Sequence, residues 1–205
     1  MSLAYLIAVP LLAVFLTPLY KNNLRIISVL VNIFLLFIIY NLSLIVPTKE
    51  FISYDSPLSI TFILNNASLF FISLFTLVML LFSIFHLKEE NDKAIFILTN
   101  ILLAGVFGLV LSYDIFNIYI FFEIVSISAY ILTSLNKDKK AYAGAIRYMI
   151  IGSIASIFIL LAIMLIYLQI GSLNLGVISI QFNSLDQQMQ SFILLCLFIG
   201  FGIKA

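Results

Sequence analysis

Glu123 and Lys204 are the residues best placed to do chemistry, because each is an ionisable side chain set in a run of apolar ones. Glu123 follows Asp114 by nine residues on an otherwise apolar stretch, which puts it about 13 Å further along a helix. A carboxylate at the centre of a membrane helix costs at least about 2.5 to 3.5 kcal/mol on insertion scales. A group kept at that cost serves to bind or pass an ion or proton, or stays neutral and holds helices together by hydrogen bonding. Helical spacing sets Tyr119, Ser126 and Tyr130 on the same face, at i−4, i+3 and i+7. Their hydroxyls form a candidate polar path able to hold water beside the carboxylate. Lys204 stands far inside its own apolar run and follows Gly200 and Gly202. Two glycines within a turn of an ionisable residue suit a discontinuous helix lining a polar cavity. The alternative is a lysine near a helix end that snorkels to the interface.

Arg147 lies one to two turns inside a cytoplasmic helix end, where anchoring and a place at a proton entrance are equally open, and it completes the candidate path. Gly144, Tyr148, Gly152 and Ser156 recur at i+4, a spacing that predicts close helix packing and no chemistry. His86 reads as an interfacial cap, and a single histidine rules out bis-His haem ligation. Cys196 is the only cysteine, so no internal disulfide and no CxxC pair exists. Asp114 is most simply a helix N-cap.

These residues need elements to hold them, and composition says which. Of 205 residues, 64% are hydrophobic and 9% charged, with a net charge of +1 and a mean hydropathy of +1.24. A soluble domain carries about 25% charged residues, so this is an integral membrane protein with no basic footprint for nucleic acid. A bilayer core of about 30 Å takes roughly 20 apolar residues per helix. Cutting at polar interruptions predicts an all-α, polytopic bundle of six complete spans and a truncated seventh. The spans run near Ser2–Leu19, Leu24–Val46, Asn65–His86, Ala94–Leu111, Ile115–Leu135 and Tyr142–Gln169, with Phe192 to the end as the seventh. The first lacks a basic leader region and a cleavage site, so it is read as a retained span kinked at Pro10.

Loops after spans one, three and five hold Lys21, Arg25, Lys88, Lys93, Lys137, Lys139 and Lys140, whereas those after two, four and six hold only Lys49. The positive-inside rule then sets the N-terminus outside. Residues 47–64 predict a short extended or hairpin segment, and Gly171–Gln190 a polar loop in water. Fourteen residues from Phe192 to Ala205 make about 21 Å of helix, too short to cross, so the chain is expected to be part of a longer one.

Asp114 to Leu135, DIFNIYIFFEIVSISAYILTSL, and Ala145 to Asn174, AIRYMIIGSIASIFILLAIMLIYLQIGSLN, carry a family signature. With the closing GFGIKA they resemble the antiporter-like membrane subunits of respiratory complex I (NADH:quinone oxidoreductase), membrane-bound hydrogenases and Mrp-type Na+/H+ antiporters. The resemblance covers nearly everything from the third span onward. It implies about fourteen helices built from inverted repeats, with residues 1–93 as N-terminal helices one to three and 94–205 as the first part of the antiporter-like repeat, cut in helix seven. It also implies that Glu123 and Lys204 are the helix-five glutamate and helix-seven lysine of a central proton path. Arg147 occupies a place where the family often has Lys, and a guanidinium that stays charged is a poor proton carrier.

Burial makes a lysine release its proton more readily, and a nearby carboxylate holds the proton on. At about 4 Å and an effective dielectric near 20 the pair attracts by about 4 kcal/mol, so moving Glu123 relative to Lys204 would switch the lysine between holding and releasing. The function expected is translocation of protons, with Na+ left open, in the plasma membrane as one subunit of a multisubunit complex. The rival is a structural anchor for redox partners with a static buried pair. Expected partners are the lipid bilayer, other membrane and redox subunits and the transported ions, with no nucleic acid. No haem, flavin, iron–sulfur or nicotinamide motif occurs, so no cofactor is expected and any redox centre belongs to other subunits. Whether the parent complex is an enzyme stays open.

Overall fold

The computed structural model describes residues 2–20, 23–51, 60–88, 93–136 and 138–204. Lys21 and Lys137, which count toward the charge balance of the loops, residues 52–59 of the expected extended segment, and the end at Ala205 lie outside the described residues. Among the described residues the elements are helical apart from one pair of short strands, in the order α1 (Ala4–Phe15), α2 (Leu24–Ser43), β1 (Thr48–Phe51), β2 (Thr61–Leu64), α3 (Asn66–Phe85), α4 (Lys93–Leu111), α5 (Ile115–Thr133), α6 (Lys139–Ile170), α7 (Leu175–Gln181) and α8 (Gln187–Lys204). Among the described residues six helices, α2 to α6 and α8, are long and apolar enough to cross a membrane. The two strands supply the extended segment expected between the second and third spans.

Three boundaries differ from the expected ones. The first span shrinks to α1, twelve residues or about 18 Å of helix, followed by a 3-10 turn at Thr17–Tyr20. Pro10 is buried inside α1, which continues through it. The last helix starts at Gln187, five residues before the apolar run, so α8 has 18 residues and about 27 Å. Its first turn is polar, and the Asp186 carbonyl and carboxylate receive the Gln190 and Gln188 N–H groups. The segment expected as a polar loop contains the short helix α7, because Asn174 caps it through Gly176 N–H and Leu175 and Ile178 pack onto an apolar cluster.

The chain forms two compact units. In the unit made of 1–50 and 62–111, α4 packs against α1 and α3, and α2 packs against α3. Ser28 and Asn32 tie α2 to α3 through Ser83 Oγ by hydrogen bonds of 2.7 and 3.1 Å, which is how polar groups join helices in lipid. Asn65 and Ser68 form a reciprocal capping box at the start of α3. His86 ends that helix against the Phe82 ring.

The unit made of 51–61 and 112–205 is built on α6, which packs against α5 and α8 around buried Ile159, Ala162, Ile163, Ile166, Ile193 and Cys196. Gly171 ends α6 at φ 72, the left-handed conformation that favours glycine. Around the start of α5 backbone hydrogen bonds join three segments: Ile115 N–H donates to Leu173 O, Leu175 N–H to Tyr113 O, and Tyr113 N–H to Thr61 O. Asp114, 4% exposed, caps α5 as expected and accepts the Phe116 and Asn117 N–H groups at 3.0 Å.

Burial pushes the Asp114 carboxyl above its ordinary 3.8, against the pull of those two N–H groups. An acid that titrates higher folded than unfolded stabilises the fold fully below the unfolded value, and this contribution is lost as pH rises through the folded value. Asp114→Asn, which keeps the cap acceptor, should therefore flatten the acid-side pH dependence of thermal unfolding. Asp114→Ala should in addition cost about 1 kcal/mol of cap energy. Melting curves across the acid range check both, and an unchanged pH slope in the Asn variant would refute the first.

Candidate functional site

Three helices of the second unit converge on one carboxylate oxygen. Glu123 sits in the third turn of α5, Ser156 midway along α6, and Lys204 at the end of α8. Glu123 Oε1 accepts from Lys204 Nζ at 2.5 Å and from Ser156 Oγ at 2.6 Å. The Lys204 side chain is 3% exposed and that of Glu123 25%. Ser126 Oγ lies 3.4 Å from the same Nζ and donates to Phe122 O. Lys204 Nζ also stands 4.8 Å from the centre of the Phe122 ring, a range in which the ring face attracts a cation.

The local sequence explains why the pair meets. α8 approaches α6 at Gly200, where a β-carbon would fall against Ile159 Cγ1 and 2.9 Å from Ala155 O. Lys204 is one turn beyond Gly200, on the same face. The glycines expected to break this helix do not: α8 is continuous to Lys204, and Gly200 is there for close approach. Gly202 meets nothing within 4 Å. Gly152 plays the matching part on α6, where the Tyr130 ring and hydroxyl fill the space a β-carbon would need.

Of the candidate path, Ser126 and Tyr130 lie with the pair, and Tyr130 meets Tyr148 edge to face at 4.6 Å between ring centres. Together with Lys204 they line a cavity of about 110 Å3. Tyr119 instead packs on the apolar cluster around Ile115 and stacks on Phe116. Arg147 is exposed and is not among the cavity-lining residues. Ser156 is the site residue that sequence reasoning missed. Its only signal was the i+4 series of small residues on α6, which was read as packing.

The arrangement can hold one proton or small cation between a buried amine and a carboxylate, with hydroxyls within reach to pass it on. Residues 112–205 match the family described as NADH:quinone oxidoreductase/Mrp antiporter, TM. The whole chain is 30% identical to 44% of a Staphylococcus aureus protein named "Putative antiporter subunit mnhD2". Among solved structures, a chain of the archaeal membrane-bound sulfane sulfur reductase, a respiratory membrane complex, superposes with a TM-score of 0.92 at 28% identity, over 99% of this chain and 44% of that one. A chain of the Mrp complex from Dietzia superposes at 0.82 and 20% identity, over 98% of this chain and 40% of that one. Respiratory complex I from Thermus thermophilus gives 0.78 and 20%, over 100% of this chain and 44% of that one. At 20% identity these last two speak to the fold alone. The chain spans less than half the length of the relatives it matches.

Proposed function

We propose, from the match of residues 112–205 to the family described as NADH:quinone oxidoreductase/Mrp antiporter, TM, that this multi-pass membrane protein moves protons through the Glu123–Lys204 pair. The observation that carries the reading is the convergence of Lys204 Nζ and Ser156 Oγ on one Glu123 oxygen, among three helices long and apolar enough to cross a membrane. Ordinary packing does not retain an ammonium and a carboxylate at such depth, because removing two charges from water costs several kcal/mol per ion. A pair that exchanges a proton has reason to be there.

In the cycle, Lys204 takes a proton while Glu123 is close and yields it when the two separate. A moving partner subunit supplies the drive, and the proton passes along the hydroxyls of Ser126 and Tyr130 and intervening water. Arg147 carries a fixed charge in the first third of α6 and is not a carrier. Residues 1–93 act as N-terminal helices beside the repeat that starts at 94, with the N-terminus outside the plasma membrane. The chain works as one subunit of a larger membrane assembly of the complex I, hydrogenase or Mrp kind.

The test is pH-gradient formation by the assembled complex in everted membrane vesicles. Glu123→Gln removes the charge that tunes Lys204 and keeps the shape, so the gradient should fall at least tenfold with normal assembly. Undiminished pumping would sink the assignment. Repeating the assay with Na+ varied reads whether sodium moves in exchange.

A further inference from the structure

The cavity of about 110 Å3 beside Lys204 has Ser126, Phe122, Tyr130, Tyr148 and Gly152 among its other lining residues. A buried water needs only about 10 to 15 Å3 of such space and two to four polar partners. The volume therefore takes several waters, and the ammonium, the Ser126 hydroxyl and the two tyrosine hydroxyls supply the partners. Tyr130 lies seven residues beyond Glu123, about 10 Å along α5 toward its Thr133 end. Tyr148 lies in the first third of α6, so the tyrosine pair stands between Lys204 and the connection joining α5 to α6.

Resting on the proton-transfer reading above, we propose that this cavity is a hydrated antechamber for Lys204 and that the Tyr130–Tyr148 pair is the gate at its α5–α6 end. Gly152 is the seat of that gate. The Tyr130 ring carbon bearing the hydroxyl would lie 2.7 Å from a β-carbon at 152, and the hydroxyl would lie closer still. Only a residue without a side chain lets Tyr130 lie flat on α6 and meet Tyr148 edge to face. When the rings part, a proton leaves Nζ by breaking one N–H bond and forming an O–H bond to a cavity water. That leaves a neutral amine and a hydronium ion. Each water or hydroxyl that relays the charge gains one O–H bond and loses another, so no group other than Lys204 is changed.

The test uses the assembled complex with Ala129→Cys, a cavity-lining position, and a small cationic thiol reagent added on the side of the α5–α6 connection. Wild type, in which Cys196 is buried, gives the background of the whole complex. Ala129→Cys should react slowly, and adding Tyr148→Ala should speed the reaction at least tenfold and raise the passive proton leak severalfold. Tyr148→Phe, which keeps the ring, should return both to the wild-type level, and Tyr148→Leu serves if the alanine variant does not assemble. Equal labelling rates with and without the ring, or no labelling in either, would overturn the gate. Labelling does not depend on transport, so wild-type pumping in Glu123→Gln would defeat the proton-transfer reading and leave the labelling result to be read by itself.

Discussion

Lys204→Arg is expected to leave the protein assembled and inserted and to bring proton pumping below detection. A guanidinium keeps the positive charge and can still donate to Glu123 Oε1, so a purely structural ion pair would survive the change. What it loses is the ability to let go. A guanidinium stays protonated throughout the physiological pH range, so an arginine here is almost never neutral, and the adjacent carboxylate holds its proton more firmly still. A cycle that needs a neutral amine then stalls, whatever drives it. The substitution therefore separates two readings that share one geometry: an anchor with a static pair tolerates arginine, and a proton carrier does not. Wild-type acidification rates in everted vesicles carrying Lys204→Arg, with the complex intact on native gels, would end the carrier role.

The second large effect comes from a residue with no functional group. Gly200→Val should disrupt the packing of α8 on α6 and lower both thermal stability and transport, because even one added carbon meets Ile159 and comes within 2.9 Å of Ala155 O. The carbonyl is backbone and cannot rotate away, so relief requires the helices to move apart. Overpacking of this kind costs about 1 to 3 kcal/mol, occasionally more. Lys204 is one turn further along α8, so a helix that backs away takes its ammonium with it. Gly200→Ala should show a smaller version of both losses. Gly202→Ala should be neutral or slightly stabilising, because nothing lies within 4 Å of its β-position and alanine favours helix over glycine by about 1 kcal/mol. Matching melting temperatures for the alanine variants at 200 and 202 would disprove the packing account.

The two charges of the site were legible in the sequence because lipid penalises charge heavily, and an isolated Glu or Lys in an apolar run stands out. Ser156 was not, since a serine inside a membrane helix costs little and can satisfy itself on the carbonyl one turn back; here Gly152 O, 2.8 Å from the hydroxyl, competes with Glu123 for its single proton. Gly200 was noticed and misread for a related reason. A glycine beside a lysine is compatible with a broken helix or with a close crossing, and only the neighbouring helix decides between them. The helix boundaries at α1 and α8 moved because hydropathy measures partition into lipid and not helicity. The turn from Gln187 to Ser191 is polar and helical at once. The N-cap at Asp114 could be read from its neighbours in sequence, because capping is a local interaction.

One oxygen of Glu123 serves two donors, and this bears on how quickly the site can change state. If Lys204 were the sole partner, swinging it away would strip a half-buried carboxylate bare and raise a barrier of several kcal/mol, since breaking a buried pair by removing one partner costs about 3 to 5 kcal/mol. Ser156 stays behind on the same atom. The departing ammonium exchanges a shared acceptor for other hydroxyls or water, and the carboxylate keeps a hydrogen bond throughout the swing. Ser156 is in that sense a placeholder, which turns an all-or-nothing rupture into a handover and sets the toggling rate of the pair separately from its strength.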